Sequence, residues 1–431
     1  MLLFPSLPTE LHLLAAFAIG VIAGGVVNWA IYSLRFDPLP HSPWSRLHPR
    51  DADDHWIDRA PMIGWWRLRR KGKALGYEFW IRPLLIELGC GLLAAVLYAL
   101  EVVETGQAIS LSEGLARSAQ LPVLASSMSL HLRYVSHLCL AMWMVALSFI
   151  DIDEQTIPDE VTLPGTLLAL AFAVAMPETR LPDVPLLFVD VNAFAIGEPG
   201  ARSLNVSSPW QFPSALQGVA GWALGVFCFC AWCAALLPRR WHGRHGWRRA
   251  MQLLVARVAR ERVSRWLLAL AAVGSVAITV VWLLGGLRWE SLAGALLGLA
   301  FGGALVWSIR IVGSGALGEE AMGFGDVTLM AMIGAFLGWQ PTLMSFVIGV
   351  FSAVFVALGQ KLFRGERVIP FGPFLCLGAL ITMLAWRGLW LRFHELFAIG
   401  WIIPVMLVVC LGALGMSLVM IRMVRDRLAR P

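Results

Sequence analysis

Long apolar runs recur along the chain, and they constrain its fold more than any other feature. A helix that crosses the hydrocarbon core of a bilayer needs about 20 mostly apolar residues, and runs of that kind return throughout the sequence. Of the 431 residues, 58% are hydrophobic and 14% are charged, whereas soluble domains carry roughly 25% charged residues. No soluble core could bury so many apolar runs, so the sequence predicts a polytopic membrane protein.

The spacing of these runs predicts an all-α membrane bundle of about 8–11 transmembrane helices. The candidate spans lie near 12–34, 83–103, 133–150, 160–177, 214–237, 265–285, 290–312, 327–340, 342–360, 371–386 and 397–420. The run at 327–340 is short, which favours a helix packed inside the protein over one facing lipid. The first run has no small-residue cleavage site after it, so we interpret it as a retained helix. Twenty tryptophans are typical of interfacial belts.

Basic residues gather in alternate loops, and this alternation predicts the orientation of the helices. Cytoplasmic loops of membrane proteins carry an excess of Lys and Arg. Here the basic clusters lie in 35–82, 238–265, 361–367 and 422–430, while the loops 104–130 and 178–213 carry few basic residues. We therefore expect the N-terminus outside and the C-terminus in the cytoplasm. The same pattern explains the net charge of +6 without a nucleic-acid partner.

The seven cysteines predict neither a disulfide framework nor a metal site. They lie at positions 90, 139, 228, 230, 233, 376 and 410, all inside apolar runs. Cysteine in such runs behaves as a small apolar residue in helix packing, and no second half of a zinc-ligand pattern accompanies the cluster at 228–233. We predict no bound metal.

Two carboxylates stand where apolar runs meet a loop. Asp151 follows the run CLAMWMVALSFI, and Asp326 ends MGFGD and precedes the run VTLMAMIGAFLG. In the orientation given above, both lie at the cytoplasmic boundary of the membrane. Ionisable groups at such depth are costly and by default indicate function. The alternative interpretation is that both are ordinary helix-end acids in contact with water.

The residues before Asp326 predict a close approach of the backbone. Gly323 and Gly325 flank Phe324, so the backbone before Asp326 can take conformations closed to other residues and come close to a substrate. Asp326 is then predicted in the first turn of a helix, where the helix dipole favours a carboxylate.

The residues after Asp151 predict the start of another helix. Pro158 suits an early helix position, and Asp159 suits the first turn. Asp153 and Asp159 are then an inner acid and a helix-start acid.

A pair of neighbouring carboxylates has a well-defined chemistry. The two cannot both ionise cheaply, so they share a proton. The ionised partner can take a proton from water, while the protonated partner polarises a carbonyl. Such a pair hydrolyses peptide bonds without a metal or cofactor.

These segments together resemble the type IV prepilin peptidases, which are GxGD intramembrane aspartic proteases. MGFGDVTLMAMIGAFLGW (322–339) is similar to the motif around the family's second catalytic aspartate. DIDEQTIPDEVTLPG (151–165) resembles the first motif, in which the acid precedes a Pro-Asp pair by seven residues; this selects Asp151 over Asp153. IPFGPFL (369–375) matches a further segment, and 24–34 and 59–87 resemble the N-terminal part of the family.

The resemblance implies the catalytic residues, the substrates and the location of the protein. Asp151 and Asp326 become the catalytic pair, supported by Gly323, Gly325, Asp153, Pro158, Asp159, Pro370, Gly372 and Pro373. The implied reaction is removal of the basic leader of prepilins or pseudopilins by a multi-pass protein of the bacterial inner membrane, at its cytoplasmic face. Many members also methylate the new N-terminus with S-adenosylmethionine. The implied partners are the substrate proteins and the lipid bilayer.

Two departures from the family pattern affect this interpretation. The loop 35–82 has no cysteine, where many members carry paired Cys-x-x-Cys motifs, so retention of the methylation activity is left open. The 175 positions between Asp151 and Asp326 are more than usual in the family. We attribute the excess to an inserted segment at about 178–285.

We therefore predict three regions. Residues 1–104 form an N-terminal region associated with methylation, 130–380 form the peptidase core with the insertion, and 381–431 form a C-terminal helix and basic tail. An alternative is an ion- or proton-coupled transporter that uses the same carboxylates, but such folds carry internal repeats and we find no convincing repeat. A third alternative, an inactive scaffold, conflicts with the two intact aspartates.

Overall fold

The chain folds as an all-α bundle. The structure is a computed structural model, and it describes residues 8–35, 57, 60–69, 78–104, 127–183, 203–237, 260–363 and 370–428. The helices are α1 (Thr9–Ser33), α2 (Ile63–Leu68), α3 (Ile81–Tyr98, continued as a π-helical turn over Ala99–Val103), α4 (Ser127–Glu154), α5 (Asp159–Ala175), α6 (Ser214–Gln217), α7 (Val219–Ala235), α8 (Arg262–Leu284), α9 (Gly286–Leu317), α10 (Phe324–Leu337), α11 (Trp339–Phe363), α12 (Gly372–Leu384), α13 (Trp386–Ala398) and α14 (Ile402–Leu428). The predicted fold class is confirmed.

Seven of the described helices are long and apolar enough to cross a membrane, or eight if α12 and α13 form one broken span. Each of the eleven predicted apolar runs overlaps a helix in the structure. The helix α13 was not predicted; it follows α12 after a bend of 94°. Its sequence WRGLWLRFHELFA mixes charged and aromatic residues, so it lacks the continuous apolar run used to find spans.

The short helix α10 lies at the centre of the bundle. Twelve of its residues, from Asp326 to Leu337, are buried, which confirms that this run packs inside the protein. It contacts α9 backbone to backbone, because a Cβ added at Gly298 would lie 2.0 Å from the carbonyl oxygen of Gly334. Small residues permit such close helix packing in membranes. This contact fixes the position of α10 beside α9.

A layer that we name the cap, residues 176–183 and 203–217, covers the end of the bundle that lies opposite Asp151 and Asp326. Six tryptophan N–H groups fasten it to the helices. Trp386 donates to Pro182 O (2.8 Å), Trp390 to Asp183 Oδ1 (3.1 Å), Trp339 to Val206 O (2.7 Å), Trp289 to Leu216 O (2.8 Å) and Trp282 to Gln217 O (2.9 Å), while Trp210 of the cap donates to Ala398 O (3.0 Å). These tryptophans thus have a structural role that a lipid-interface assignment did not predict.

Candidate active site

The first carboxylate, Asp151, lies in the last turn of α4 and is buried, with 5% of its surface exposed. The backbone N–H of Gly372, at the start of α12, donates to Asp151 Oδ2 at 3.0 Å. A Cβ added at Gly372 would lie 2.6 Å from the same oxygen. A glycine is therefore required here for α12 to approach the carboxylate.

The second carboxylate, Asp326, lies in the first turn of α10, as predicted, and is also buried, with 8% exposed. A backbone hydrogen bond joins it to Gly323, which is the N-cap of α10 with φ −66° and ψ 152°. These angles are open to any residue, and Gly325 has no positive φ either. The conformational freedom of glycine is therefore not used at Gly323 or Gly325 in this structure.

The glycine at position 325 serves a different purpose, namely close packing. A Cβ added to Gly325 would lie 2.6 Å from the Cβ of Ile157. The segment that joins α4 to α5 can therefore press against the first turn of α10, which brings the surroundings of Asp151 and Asp326 together.

Both carboxylates line one cleft of about 830 Å³. Three segments form its walls: the α4–α5 connection, the loop before α10 and the start of α12. The lining residues are Asp151, Gln155, Thr156, Ile157, Asp159, Glu320, Ala321, Met322, Gly323, Phe324, Gly325, Asp326, Pro370 and Phe371. Residues that are far apart in the chain thus place two buried acids in one cavity.

The electrostatics of Asp326 are those of a proton-sharing acid. The pKa of Asp326 is raised to about 7, chiefly by burial and also by the nearby charge of Asp151, while the hydrogen bond from Gly323 acts in the opposite direction. Burial disfavours the charged form of a carboxylate, and so does a like charge nearby. A carboxyl group of this kind can hold a proton near neutral pH.

The neighbouring acid Asp153 is held outside the cleft. Arg35, just after α1, lies 2.6 Å from Asp153 Oδ2, and Arg82 on α3 donates to both carboxylate oxygens at 2.9 Å. Such a bidentate pair fixes both groups. Asp153 therefore joins the N-terminal helices to α4, whereas Asp151 faces the cavity.

The remaining predicted residues surround the same cleft. Pro158 is the N-cap of α5, and Asp159 follows it in the first turn, as predicted; Asp159 lines the cleft and is hydrogen-bonded to Thr328 of α10. Pro370 lines the cleft, and Pro373 stands in the first turn of α12. The structure brings these residues together around the two aspartates; their supporting roles stay a prediction.

Sequence reasoning missed several residues of this region. Gln155 and Glu320 line the cleft, and Arg35 and Arg82 hold Asp153. Gln155 directly follows the observed end of α4 at Glu154, which lies beyond the predicted run of 133–150. The others depend on contacts between distant parts of the chain.

No group of three or more His, Cys, Asp or Glu side chains is arranged to hold a metal ion in the part of the chain that the structure describes. Residues 36–56 and 70–77 of the first loop lie outside the described residues. The chemistry available in the cleft is that of paired carboxylates.

Comparison with known proteins gives a consistent result. The type IV leader peptidase family matches residues 138–239 and 258–358, and the two segments contain Asp151 and Asp326 respectively. A prepilin leader peptidase/N-methyltransferase of Aeromonas hydrophila is 35% identical over 105 residues, which are 24% of this chain and 36% of that protein. Proteins of the same name from Pseudomonas aeruginosa (36% over 100 residues, 22% and 34%) and Burkholderia pseudomallei (36% over 99 residues, 22% and 32%) are also similar.

The coverage of these matches is limited. The chain spans about a third of the length of the curated relatives it matches. No solved structure matches the chain.

Proposed function

We propose that this chain, which belongs to the type IV leader peptidase family, is a membrane aspartic endopeptidase that cleaves the basic leader of type IV prepilins or pseudopilins. One observation carries the proposal. Asp151 and Asp326 come from the two segments that match the family, and both line one cleft as buried neighbours. The cleft opens at the cytoplasmic face of the bacterial inner membrane in this proposal, as the basic loops indicate.

The two aspartates have different roles in hydrolysis, one as the general base and the other as the general acid. Asp151 and Asp326 each accept a backbone hydrogen bond, from Gly372 and Gly323 respectively, so these contacts do not distinguish the two acids. We assign the ionised role to Asp151 because the pKa of Asp326 is raised to about 7, in part by the negative charge of Asp151. Asp151 takes a proton from water, and the resulting hydroxide attacks the scissile carbonyl carbon. Asp326 holds its proton near pH 7 and gives it to the carbonyl oxygen.

The reaction closes with both aspartates restored. As the tetrahedral intermediate collapses, the C–N bond breaks and the leaving amine takes the proton from Asp151. The hydroxyl of the intermediate returns its proton to Asp326 as the new carboxyl group forms. This sequence needs only the two acids and one water.

The charge of the cleft supports a cationic substrate segment. Four lining residues are acidic, namely Asp151, Asp159, Glu320 and Asp326, and none of the described lining residues is Lys, Arg or His. A basic leader would be repelled by the basic loops of the cytoplasmic face, yet it complements the cleft itself. Lining of one charge sign raises the local concentration of an oppositely charged substrate.

The test is cleavage of a prepilin-like substrate by membranes that contain the wild type, Asp151→Asn, Asp326→Asn or Asp153→Asn. We expect each of the first two variants to lose at least about a hundredfold in rate, as removal of a general acid or base does, while remaining inserted and abundant. Asp153→Asn, the matched control, should keep measurable cleavage because it lies outside the cleft.

Two outcomes would contradict the proposal or its assignment. If Asp151→Asn and Asp326→Asn cleave like the wild type, the mechanism is wrong, and an ion- or proton-coupled transporter becomes the preferred interpretation of the two carboxylates. If Asp153→Asn is dead and Asp151→Asn is active, the first aspartate has been chosen wrongly.

N-methylation with S-adenosylmethionine is a separate question. The similar proteins carry N-methyltransferase in their names, but the family match starts at residue 138. In the described part of 1–104, the buried acid Glu87 has its oxygens taken by Asn28, Trp65 and the N–H of Met62. These hydrogen bonds join α1, α2 and α3 at Glu87, and we derive no methylation step from the described residues.

A further inference from the structure

The residue that ends α4, Gln155, has an unusual backbone conformation. Its φ is 54°, and among the described residues only Met62 shares a positive φ without being glycine. Its N–H donates to Asp151 O at 2.8 Å. This is the left-handed cap of a helix C-terminus, at the position where glycine is most common and asparagine next.

Local energetics do not favour glutamine at this position. A residue with a Cβ is disfavoured in the left-handed region, whereas glycine enters it freely. The shorter Asn side chain can compensate by bonding to its own backbone, which Gln does less readily. Backbone strain in a non-glycine residue, retained beside a candidate active site, is a reason to examine what the side chain does.

The side chain of Gln155 is available to a ligand. It is exposed, and it lines the cleft together with Asp151 and Asp326. Its carboxamide makes none of the side-chain hydrogen bonds found among the described residues. Because Gln155 is one helical turn beyond Asp151, the amide belongs to the wall directly beside that carboxylate.

The segment that carries Gln155 is firmly supported. Ile157, two residues later, packs against the backbone of both other walls, since Cβ atoms added at Gly325 and Gly372 would lie 2.6 Å and 2.9 Å from its side chain. The cap bond to Asp151 O holds the other side. Gln155 is therefore presented to the cavity from a segment fixed at both ends.

We propose that Gln155 is a substrate-binding residue whose carboxamide hydrogen-bonds the main chain of the peptide in the cleft. An amide offers one acceptor and two donors, which match the N–H and C=O groups of an extended peptide. The contact aligns the peptide beside Asp151 without depending on the substrate's side chains. This inference rests on the proposed function and deepens it by naming how the peptide is held.

The first experiment compares cleavage of a prepilin-like substrate by the wild type, Gln155→Gly, Gln155→Ala and Gln155→Asn. Gln155→Gly removes the amide and relieves the strain, so we expect an unchanged or higher melting temperature with KM raised about three- to tenfold, the range of one hydrogen bond. Gln155→Ala keeps the strain and loses the amide, so it should match Gly in KM but melt lower. Gln155→Asn should recover part of the KM loss.

A second measurement identifies the partner of the amide. Substrates with one main-chain N–H replaced by an ester oxygen, at successive positions around the cleavage site, remove one donor at a time. The wild type should lose affinity at one of these positions, and Gln155→Gly should be insensitive to the ester at that position. This coupling between enzyme and substrate changes is not expected of a residue that only ends a helix.

The outcomes separate the inference from the proposed function. If the wild type cleaves and Asp326→Asn does not, while Gln155→Gly cleaves with unchanged KM, then the function stands and the inference on Gln155 is overturned. If the wild type does not cleave, the proposed function fails and the inference falls with it.

Discussion

The helices α10 and α14 are both apolar, but they have opposite surroundings. In α10, all residues from Asp326 to Leu337 are buried. In α14, only 6% of the apolar window is buried within the protein. The difference follows from length: the 14 residues of α10 span about 21 Å, less than the roughly 30 Å of a bilayer core, while the 27 residues of α14 span about 40 Å.

A helix that is too short to cross the membrane must find partners inside the protein at both ends. The N-terminal turn of α10 carries Asp326 in the cleft, and its C-terminus is followed directly by Trp339 of α11, which donates to Val206 O of the cap. The helix α14 has no such demand, because lipid can cover its sides. The short length of α10 therefore goes with the burial of the turn that carries Asp326.

The largest expected difference between α10 and α14 is the loss of stability when one apolar side chain in each helix is shortened to alanine. Ile333 of α10 is fully buried and Val409 of α14 is 63% exposed. We expect Ile333→Ala to lower the free energy of unfolding by about 2–5 kcal/mol, the cost of a core cavity, and Val409→Ala to change it by less than about 0.5 kcal/mol. Denaturation of the purified protein in detergent measures both. Equal losses would show that α10 is not the better packed helix.

The second test uses pH. The pKa of Asp326 is raised to about 7, so its neutral form is present below that pH and is lost above it. Hydrolysis needs one proton on the pair, so the rate should fall as pH rises through 7, by about tenfold per unit. Asp426→Asn on α14, 57% exposed, should leave this profile unchanged. A rate that stays constant to pH 9 would contradict the assignment of Asp326.

The third test adds a methyl group at a glycine that packs against α10 and, for comparison, at a glycine of α14. At Gly298 the new Cβ would meet Gly334 O of α10 at 2.0 Å, whereas at Gly412 of α14 nothing lies within 4 Å. Gly298→Ala should cost about 1–3 kcal/mol through overpacking and reduce cleavage by displacing Asp326. Gly412→Ala should be neutral or stabilise by up to about 1 kcal/mol. Thermal melts and cleavage assays of both variants check this, and a neutral Gly298→Ala would refute the tight contact.

The smallest effect concerns a link between α14 and the loop before α10. Arg425 donates to Glu319 at 3.2 Å, with both side chains more than half exposed. Exposed pairs contribute about 0–1 kcal/mol, so Arg425→Gln should reduce cleavage by less than about fivefold, and the reduction should disappear at high salt. Arg427→Gln makes the same charge change in the same turn and serves as the control. A large loss of cleavage that does not depend on salt would mean that α14 contributes more to the active site than one exposed ion pair.

Much of this architecture could be predicted from the sequence because its causes are local. Runs of apolar residues predicted a helix at every span, and the place of Asp326 after MGFG predicted the first turn of α10. Counting back from Pro158 selected Asp151 over Asp153, and Asp151 is indeed the one that lines the cleft. Its catalytic role stays a prediction.

The rest depends on contacts that no local pattern reports. The amide of Gly372 reaches Asp151 across 221 positions, and Arg35 and Arg82 reach Asp153 from other helices. The bend before α13 lies in a segment whose charges interrupt the apolar pattern. The conformation of Gln155 was also hidden, since glutamine is not the residue that a left-handed cap predicts.

The tryptophans that fasten the cap also provide built-in spectroscopic reporters. Six indole N–H groups are hydrogen-bonded between the cap and the helices, and the protons of the two buried bonds, from Trp386 and Trp390, should exchange most slowly with solvent deuterium while the cap is closed. Each indole gives a separate nuclear magnetic resonance signal. Loss of protection at Trp386 and Trp390 alone would report lifting of residues 182–183, whereas joint loss at all six would report release of the whole layer.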